Sequence, residues 1–209
     1  MFKCVKLLVA VCLAFILSGC DQVLLYAARG GVHEAVEAAL ATGADINARD
    51  ELGFSPLHWA IKEGHPGIAI RLVDSGADVN AKTGRNGTPL QFAAAFGDVG
   101  LVKALLLTGA SLSDRNDDQW TALHFAVART NCVAAGVLLA SGADANAQTV
   151  RGYTALHMAA EGNAIECIPL LLEYGASQTV VEGKGLTAVQ LAMGARNKEA
   201  IALLMNAAQ

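Results

Sequence analysis

The chain has 209 residues, a formal net charge of −4 and 54% hydrophobic residues. That length suits one elongated domain. An acidic chain without a run of Lys and Arg argues against nucleic-acid binding, which depends on neutralising phosphate charges.

The first twenty residues predict an export signal. A basic start with Lys3 and Lys6 precedes an apolar run over residues 7–17, and the small residues Ser18 and Gly19 follow. This order is typical of a secretory signal. The apolar run is shorter than the roughly 20 residues that span a membrane.

Residues 17–20 (Leu-Ser-Gly-Cys) resemble a bacterial lipobox. The resemblance implies that the signal peptide, residues 1–19, is removed and that Cys20 is lipidated, with a diacylglycerol thioether and an acyl group such as palmitate. Several acyl chains on one residue give lasting anchoring, whereas a single chain binds marginally. We therefore expect a periplasm-facing lipoprotein of a bacterial cell envelope. The alternative is an ordinary cleaved signal with an incidental cysteine.

Asp21 follows Cys20 directly. An aspartate there resembles the signal that retains lipoproteins in the inner membrane of some bacteria, so it favours the inner membrane slightly over the outer one. Asp21 equally suits the N-cap of a first helix, where its side chain accepts from free N–H groups. No spacer separates Cys20 from the folded domain, so we expect that domain to lie close to the bilayer.

A six-residue signature recurs through the rest of the chain at a period of 33 residues. Its copies are Ser55–Ala60, Thr88–Ala93, Thr121–Ala126, Thr154–Ala159 and Thr187–Ala192. A second marker, Gly-Ala-Asp or Gly-Ala-Ser, keeps the same period from Gly43 to Gly175. Both markers resemble the Thr-Pro-Leu-His-x-Ala and Gly-Ala-Asp motifs of the ankyrin repeat. The resemblance implies an all-α solenoid of about six stacked helix–turn–helix units with hairpin-like turns.

Within each unit the signature begins the first helix. Ser55 suits the cap through its hydroxyl, and Pro56 suits the first helical position, where no N–H is needed. Gly64 ends this helix, and a second helix follows. We assign residues 21–209 to the repeats, with a degenerate capping repeat over about 21–51, four fuller repeats over about 52–183 and a C-terminal capping repeat over about 184–209.

Two residues disturb the periodic pattern. Pro169 falls in the second helix of the fifth unit, where it removes a backbone hydrogen bond, so that helix either starts late or kinks. Gln119 replaces a glycine in the turn before Trp120, which predicts a strained or differently shaped turn.

Cys132 and Cys167 are the cysteines that follow Cys20. They occupy offset positions on neighbouring second helices. Packed helices lie roughly 8–10 Å apart, whereas bridged cysteines need Cα atoms within about 7 Å. We therefore expect two free, mostly buried thiols, with a disulfide as the less favoured alternative.

The sequence predicts no catalytic residue, no cofactor and no metal site. His58, His124 and His157 recur at the repeat period, so their rings lie one helix-packing distance apart, too far to share a zinc ion at about 2 Å. Gln91 and Gln190 fill the same position in other repeats. In the ankyrin family this histidine hydrogen-bonds between neighbouring turns, and we expect the same role here. The chain is therefore predicted to be non-enzymatic.

The ankyrin resemblance implies a concave partner-binding surface made of turn tips and the exposed face of the first helices. An aromatic residue precedes the signature in three units, and Trp, Tyr and Arg dominate binding hot spots. The predicted contact residues are Phe54, Lys62, Glu63, Arg85, Phe96, Asp117, Asp118, Trp120, Arg129, Arg151, Tyr153 and Glu161. Local packing over the neighbouring turn is the alternative for the three aromatic tips. Trp59 and Phe125 lie inside the signature, and we expect both to be buried.

These expectations together predict a lipid-anchored periplasmic protein that binds one partner protein. One version is an immunity or inhibitor protein against an envelope-acting toxin or hydrolase. The alternatives are an assembly or stabilising factor for an envelope enzyme or complex, and a secreted host-directed effector. The sequence does not separate the inhibitor from the assembly factor.

Overall fold

The computed structural model of the protein describes residues 19–96, 98–162 and 164–207. The predicted export signal, apart from Gly19, lies outside the described residues. The chain divides into two compact units, the first ending at Gly84 and the second starting at Arg85.

The first unit is built from paired short helices. Residues 19–30 are helical and form α1, which is followed by α2 (His33–Ala41), α3 (Pro56–Lys62) and α4 (Pro66–Asp74). Apolar residues at helical spacing pack inward, and the fully buried side chains include Leu24, Leu57, Ile68 and Leu72. Isolated helices of this length are marginal in water, so the packing between them supplies most of their stability.

The second unit repeats the pairing along residues 85–207. Its helices are α5 (Pro89–Phe96), α6 (Val99–Leu107), α7 (Ala122–Ala128), α8 (Cys132–Ala140), α9 (Ala155–Glu161), α10 (Cys167–Glu173), α11 (Ala188–Gly194) and α12 (Lys198–Asn206). An isolated antiparallel bridge joins Val181 and Thr187. The predicted all-α repeat architecture is confirmed.

Hydrogen-bonded caps begin the first helices of the repeats. The Thr154 hydroxyl accepts from the N–H of His157 at 3.4 Å, and Nδ1 of His157 accepts from the N–H of Thr154 at 3.2 Å. Thr121 and His124 close the same reciprocal box. Each box satisfies two N–H groups that are otherwise left without a partner near a helix start. The first and fourth residues of the signature therefore fix where the helix begins.

The buried histidines also connect neighbouring repeats. Nε2 of His124 lies 3.2 Å from the carbonyl oxygen of Tyr153, and Nε2 of His157 lies 3.2 Å from that of Leu186. Burial lowers the pKa of His124 to about 4, so its ring is neutral at pH 7. The predicted hydrogen bonding between turns is confirmed for these two histidines. Gln91 does the same, since its amide donates to the carbonyl of Trp120 at 3.1 Å.

Helix α10 starts late. The 33-residue period places its start at residue 165, but α10 begins at Cys167. Residues 165 and 166 form a turn instead. Pro169 is then the third helical residue, where a helix N–H has no partner within the helix, so the missing N–H of proline costs little. Of the two predicted alternatives, the late start is confirmed.

Cys132 and Cys167 form a disulfide, so the expectation of two free thiols is wrong. Their Cα atoms lie 5.0 Å apart, within the range that a disulfide bridges. The late start of α10 removes the expected offset, because both cysteines become the first residue of their helices. Helix axes about 8–10 Å apart also leave facing Cα atoms only about 3–5 Å apart, since each Cα lies about 2.3 Å from its axis.

Some turn residues other than glycine adopt a left-handed backbone. Gln119 has φ of 61° and Thr130 has φ of 56°. The equivalent positions two periods earlier hold Gly53 and Gly64, whose φ values are 77° and 78°. A side chain in this conformation costs about 1–2 kcal/mol. The strained turn predicted at Gln119 is confirmed, and Thr130 is a second one.

Asp21 does not cap the first helix, so that alternative is wrong. It lies inside α1 because residues 19 and 20 are already helical. Its carboxylate accepts a hydrogen bond from the N–H of Asp45 at 2.8 Å. Asp45 belongs to the turn after α2. This hydrogen bond therefore connects Asp21, the residue next to Cys20, to the turn that follows α2.

Candidate functional site

Phe54, Lys62 and Glu63 are the predicted contact residues of the first unit. Phe54 is half-buried and packs on Trp59, with ring centroids 4.8 Å apart. The Lys62 ammonium lies 4.4 Å from the centre of the Trp59 ring and 5.3 Å from that of the Phe54 ring. The exposed Glu63 carboxylate lies 3.9 Å from the Arg29 guanidinium. These side chains form one cluster in which both rings carry a cation.

Trp59 is 6% exposed, so its predicted burial is confirmed. Leu25 and Ala48 pack against it, and its indole N–H donates to the Asp50 carboxylate at 2.9 Å. The Arg29 guanidinium lies 4.3 Å from the centre of its ring. Arg29 lies in the degenerate first repeat, which has no signature, and for that reason sequence reasoning missed it.

Trp120 and Phe96 are predicted contact residues in the second unit. Trp120 is half-buried, and its ring centroid lies 5.1 Å from that of Phe125. Phe96 is 48% exposed and stacks on Phe92 at 6.3 Å. The exposed Arg129 guanidinium lies 5.8 Å from the centre of the Phe96 ring. Because α5 and α7 pack against each other, we refer to Phe92, Phe96, Trp120 and Phe125 as the aromatic patch.

Phe125 is only partly buried, so the prediction that it is buried is wrong. The buried stripe of α7 consists of Ala122, Leu123, His124, Ala126 and Val127. Phe125 is the residue between His124 and Ala126 that this buried set leaves out, and Trp120 packs on its ring. Phe92 was also missed as a surface residue, because it lies one period before Phe125, where the sequence predicted burial.

Tyr153, Arg151 and Glu161 form a second group in this unit. The Arg151 guanidinium lies 5.6 Å from the centre of the Tyr153 ring. Burial raises the pKa of Tyr153, and the negative charge of Glu161 and a hydrogen bond to its carboxylate raise it further. Arg151 and Glu161 are exposed, whereas Tyr153 is half-buried. The three predicted contact residues of the fifth repeat are therefore close together.

Arg85, Asp117 and Asp118 are joined at the turn tips. The Arg85 guanidinium lies 3.4 Å from the Asp118 carboxylate. The side-chain amide of Asn86 donates to the Asp117 carboxylate at 2.7 Å. All three predicted residues are exposed, and each one contacts the turn one period away. The acidic groups of these tips therefore already have partners within the unit.

Each aromatic tip also touches the histidine of its own repeat. The ring centroids of Trp120 and His124 lie 6.2 Å apart, and those of Tyr153 and His157 lie 5.9 Å apart. Phe54 lies 5.7 Å from His58 in the same way. Local packing thus holds each ring in place while part of its surface stays exposed.

Residues 19–96, 98–162 and 164–207 contain neither a candidate metal site nor a candidate membrane-spanning helix. These residues hold no group of three or more His, Cys, Asp or Glu side chains suited to a metal ion. They also hold no helix with both the length and the apolar composition that crossing a membrane requires.

Sequence models of one repeat family match most of the chain. The model described as ankyrin repeats in three copies matches residues 1–83 and 82–149, and the one described as ankyrin repeats in many copies matches residues 138–192. The chain belongs to the ankyrin-repeat family. Ankyrin repeats serve as protein–protein interaction modules, and ankyrin-repeat proteins are typically not enzymes.

Two curated plant proteins share a short segment with this ankyrin-repeat chain. Acyl-CoA-binding domain-containing protein 2 of Arabidopsis thaliana is 49% identical over 47 residues, which are 22% of this chain and 13% of that protein. Acyl-CoA-binding domain-containing protein 1 of the same plant is 41% identical over 54 residues, or 26% of this chain and 16% of that protein. The matches therefore span a small part of each relative.

Proposed function

We propose that this ankyrin-repeat protein is a lipid-anchored periplasmic module that binds one partner protein through its turn tips and first helices, without catalysis. The observation that carries the proposal is the aromatic patch of Phe92, Phe96, Trp120 and Phe125, all of them partly exposed in the second unit. Single exposed apolar side chains are normal, but adjoining ones typically belong to an interaction surface.

The composition around the patch supports the same reading. Arg129 and Arg151 lie beside exposed or half-exposed rings, and Trp, Tyr and Arg are the residues most enriched in binding hot spots. The rings are also held by contacts with their own repeats. A surface fixed before binding loses little conformational entropy when a partner docks, which favours affinity.

The start of the domain supports anchoring through Cys20. Its thiol is free and half-buried, and the next residue, Asp21, is bonded to the N–H of Asp45. The core begins at once, since Val23 is 4% exposed and Leu24 is 0% exposed. Acyl groups on Cys20 therefore hold the first repeat at the bilayer without a flexible linker. We favour the inner membrane because an aspartate directly after the lipidated cysteine, here Asp21, resembles a retention signal.

The disulfide between Cys132 and Cys167 supports export. Disulfides persist in oxidising compartments such as the bacterial periplasm and are rare in the cytosol. This observation is independent of the leader, because it concerns residues more than 100 positions along the chain.

Within this proposal the protein is an immunity or inhibitor protein that blocks an envelope-acting toxin or hydrolase. Blocking requires only affinity and correct placement, and a preformed surface beside the membrane provides both. An assembly factor for an envelope complex and a secreted host-directed effector are the other outcomes that the following test distinguishes.

The test is retention of envelope proteins on the full-length chain carrying a C-terminal tag. Wild type is compared with Trp120→Ala/Tyr153→Ala and with the control Leu107→Ala/Val133→Ala, which removes apolar side chains that are 89% and 68% exposed on second helices. We expect wild type and control to retain one partner that the tip variant loses. Equal retention by the tip variant contradicts the proposed surface.

The identity of the retained protein decides the role. A toxin or hydrolase whose activity falls on binding makes this protein an inhibitor. A resident enzyme or complex that keeps its activity makes it an assembly factor. A partner found only among host proteins, together with release of the chain from the cell, supports the effector.

Replacing Cys20 with Ser tests the anchor. We expect the variant to lose labelling by radioactive palmitate and to stop fractionating as a lipoprotein. Unchanged labelling and unchanged fractionation contradict the anchor but leave the binding surface unaffected.

A further inference from the structure

We infer that the partner presents an acidic segment, with carboxylates beside large apolar side chains, to the second unit of this protein. The inference rests on the proposed function, because it names the chemistry of the partner for the same surface. Its basis is that some charges of that surface are already paired within the second unit and others are not.

The cationic groups of this surface without an ion pair are two arginines. The Arg129 guanidinium lies 5.8 Å from the centre of the Phe96 ring, and the Arg151 guanidinium lies 5.6 Å from that of Tyr153. Both side chains are exposed, and neither forms an ion pair within the part of the chain that the structure describes. An aromatic ring steadies a guanidinium without using its N–H groups, which stay available for two-pronged bonding to a carboxylate.

The acidic groups nearby are already engaged. The Asp118 carboxylate pairs with Arg85, and the Asp117 carboxylate accepts from Asn86 at 2.7 Å. Glu182 is 5% exposed and accepts from the N–H of Lys184 at 3.0 Å. The charge of Asp118 is therefore balanced by an arginine and Glu182 is buried, whereas Asp117 keeps its negative charge.

Glu161 is the remaining carboxylate among the predicted contact residues. It lies near the phenol of Tyr153, whose pKa is raised by burial and then by that negative charge. Among the charged groups at the two rings, the two arginines outnumber the one glutamate, although the whole chain has a net charge of −4. A local field of this sign steers an acidic partner and disfavours a basic one.

The rings define the rest of the partner segment. Phe96 is 48% exposed, and Trp120 and Phe125 are half-buried, so a docking segment covers apolar surface next to the two guanidinium groups. Carboxylate–arginine pairs beside covered apolar surface are shielded from water, which strengthens them. The segment that fits best alternates Asp or Glu with large apolar residues.

The test is selection of random displayed peptides on the full-length chain, immobilised through a C-terminal tag. We expect the retained peptides to be more acidic than the starting library and to contain large apolar residues. A synthetic copy of the best peptide is then titrated against wild type, Arg129→Glu/Arg151→Glu, and the control Lys103→Glu, which changes an exposed lysine on α6. We expect affinity to fall about tenfold or more in the double variant, to stay unchanged in the control and to weaken with added salt.

The outcomes separate this inference from the proposed surface. Peptides that need Trp120 and Tyr153 but are neutral or basic, or that bind Arg129→Glu/Arg151→Glu as well as wild type, overturn the acidic partner and leave the surface standing. Peptides indifferent to Trp120→Ala/Tyr153→Ala, or no enrichment at all, contradict both. Thermal unfolding by circular dichroism confirms that each variant is folded, and Arg129→Gln/Arg151→Gln, which removes charge without reversing it, should give a smaller loss.

Discussion

Trp59 in the first unit and Phe125 in the second occupy the same place in the repeat, yet Trp59 is buried and Phe125 is only partly buried. In the first unit Lys62 covers the Trp59 ring, and the Asp50 carboxylate accepts from its indole N–H. The position equivalent to Lys62 holds Ala128, which is too short to cover a ring. Phe125 therefore keeps exposed surface that Trp59 does not.

This difference separates two kinds of information in a repeat protein. The period determines where each residue sits on the backbone, because the caps and turns recur every 33 residues. The exposure of a given position depends on side chains from neighbouring turns, and those change from repeat to repeat. The second unit is therefore the better candidate for a binding surface, although both units carry aromatic signature residues.

Replacing the two equivalent aromatic residues gives the largest expected difference. Trp59→Ala removes a ring that is 6% exposed and leaves the Asp50 carboxylate without its indole donor, so we expect a loss of about 3–5 kcal/mol in the free energy of unfolding. Phe125→Ala removes a partly buried ring and should cost about 1–2 kcal/mol. Urea unfolding followed by circular dichroism measures both. Equal losses would show that position in the repeat, and not neighbours, sets burial.

Removing the disulfide should destabilise the second unit alone. The bridge closes a loop with a sequence separation of 35 residues. Because it restricts the unfolded chain, it raises the free energy of unfolding by about 4 kcal/mol in the chain-entropy treatment. The chain has two tryptophans, one per unit, so Trp120 fluorescence in a Trp59→Phe background reports on the second unit. We expect a reducing agent to lower its unfolding midpoint. Cys132→Ala/Cys167→Ala should start at the lower midpoint and ignore the reducing agent.

Acid should weaken the second unit through His124. Its pKa is lowered by burial to about 4, against about 6.5 in an unfolded chain, so the unfolded chain takes up the proton first as pH falls. Stability is therefore complete above pH 6.5 and declines toward pH 4, by about 2 kcal/mol between pH 7 and pH 5. His157 shifts in the same direction, also through burial.

The matched control is His124→Gln, since Gln91 makes equivalent hydrogen bonds in its own repeat. The stability of this variant should change less between pH 7 and pH 5 than that of wild type. An identical pH profile for both proteins contradicts the assignment to His124.

The smallest expected effect is an increase in the free energy of unfolding. Thr130 has φ of 56° at a position where the first unit has Gly31 and Gly64, so Thr130→Gly should stabilise the protein by about 1 kcal/mol. Thr108 provides the control, because it caps the end of α6 with φ of −91°. Thr108→Gly should be destabilising, since glycine adds freedom to the unfolded chain and removes the hydroxyl hydrogen bonds to the carbonyls of Ala104 and Leu105. Chemical denaturation measures both, and a gain at both positions would contradict the strain at Thr130.

The fold followed from sequence to a large extent because each cap residue acts locally. Ser, Thr and His at fixed offsets determine where helices begin, and these offsets are visible in the sequence. The disulfide did not follow, because it depends on where α10 begins, and Pro169 allows two answers whose choice needs the packed structure.

The candidate site was predictable as positions but not as contacts. Trp120 and Tyr153 directly precede their signatures in the sequence, but the contacts of Arg129 with Phe96 and of Arg151 with Tyr153 depend on side-chain conformations. Phe125 was misjudged because its burial depends on the residue at position 128, which the signature does not specify. The partner itself is a property of another molecule, and no pattern in this chain identifies it.

Photocrosslinking in intact cells, with a photoreactive phenylalanine derivative at position 120 of the full-length chain, tests whether the aromatic patch contacts the partner. The same derivative at position 107, on the end of α6, is the control. We expect a discrete crosslinked product with one envelope protein from position 120 and none from position 107. A product from position 107 alone, or from neither position, would contradict the claim that the aromatic patch of the second unit binds the partner.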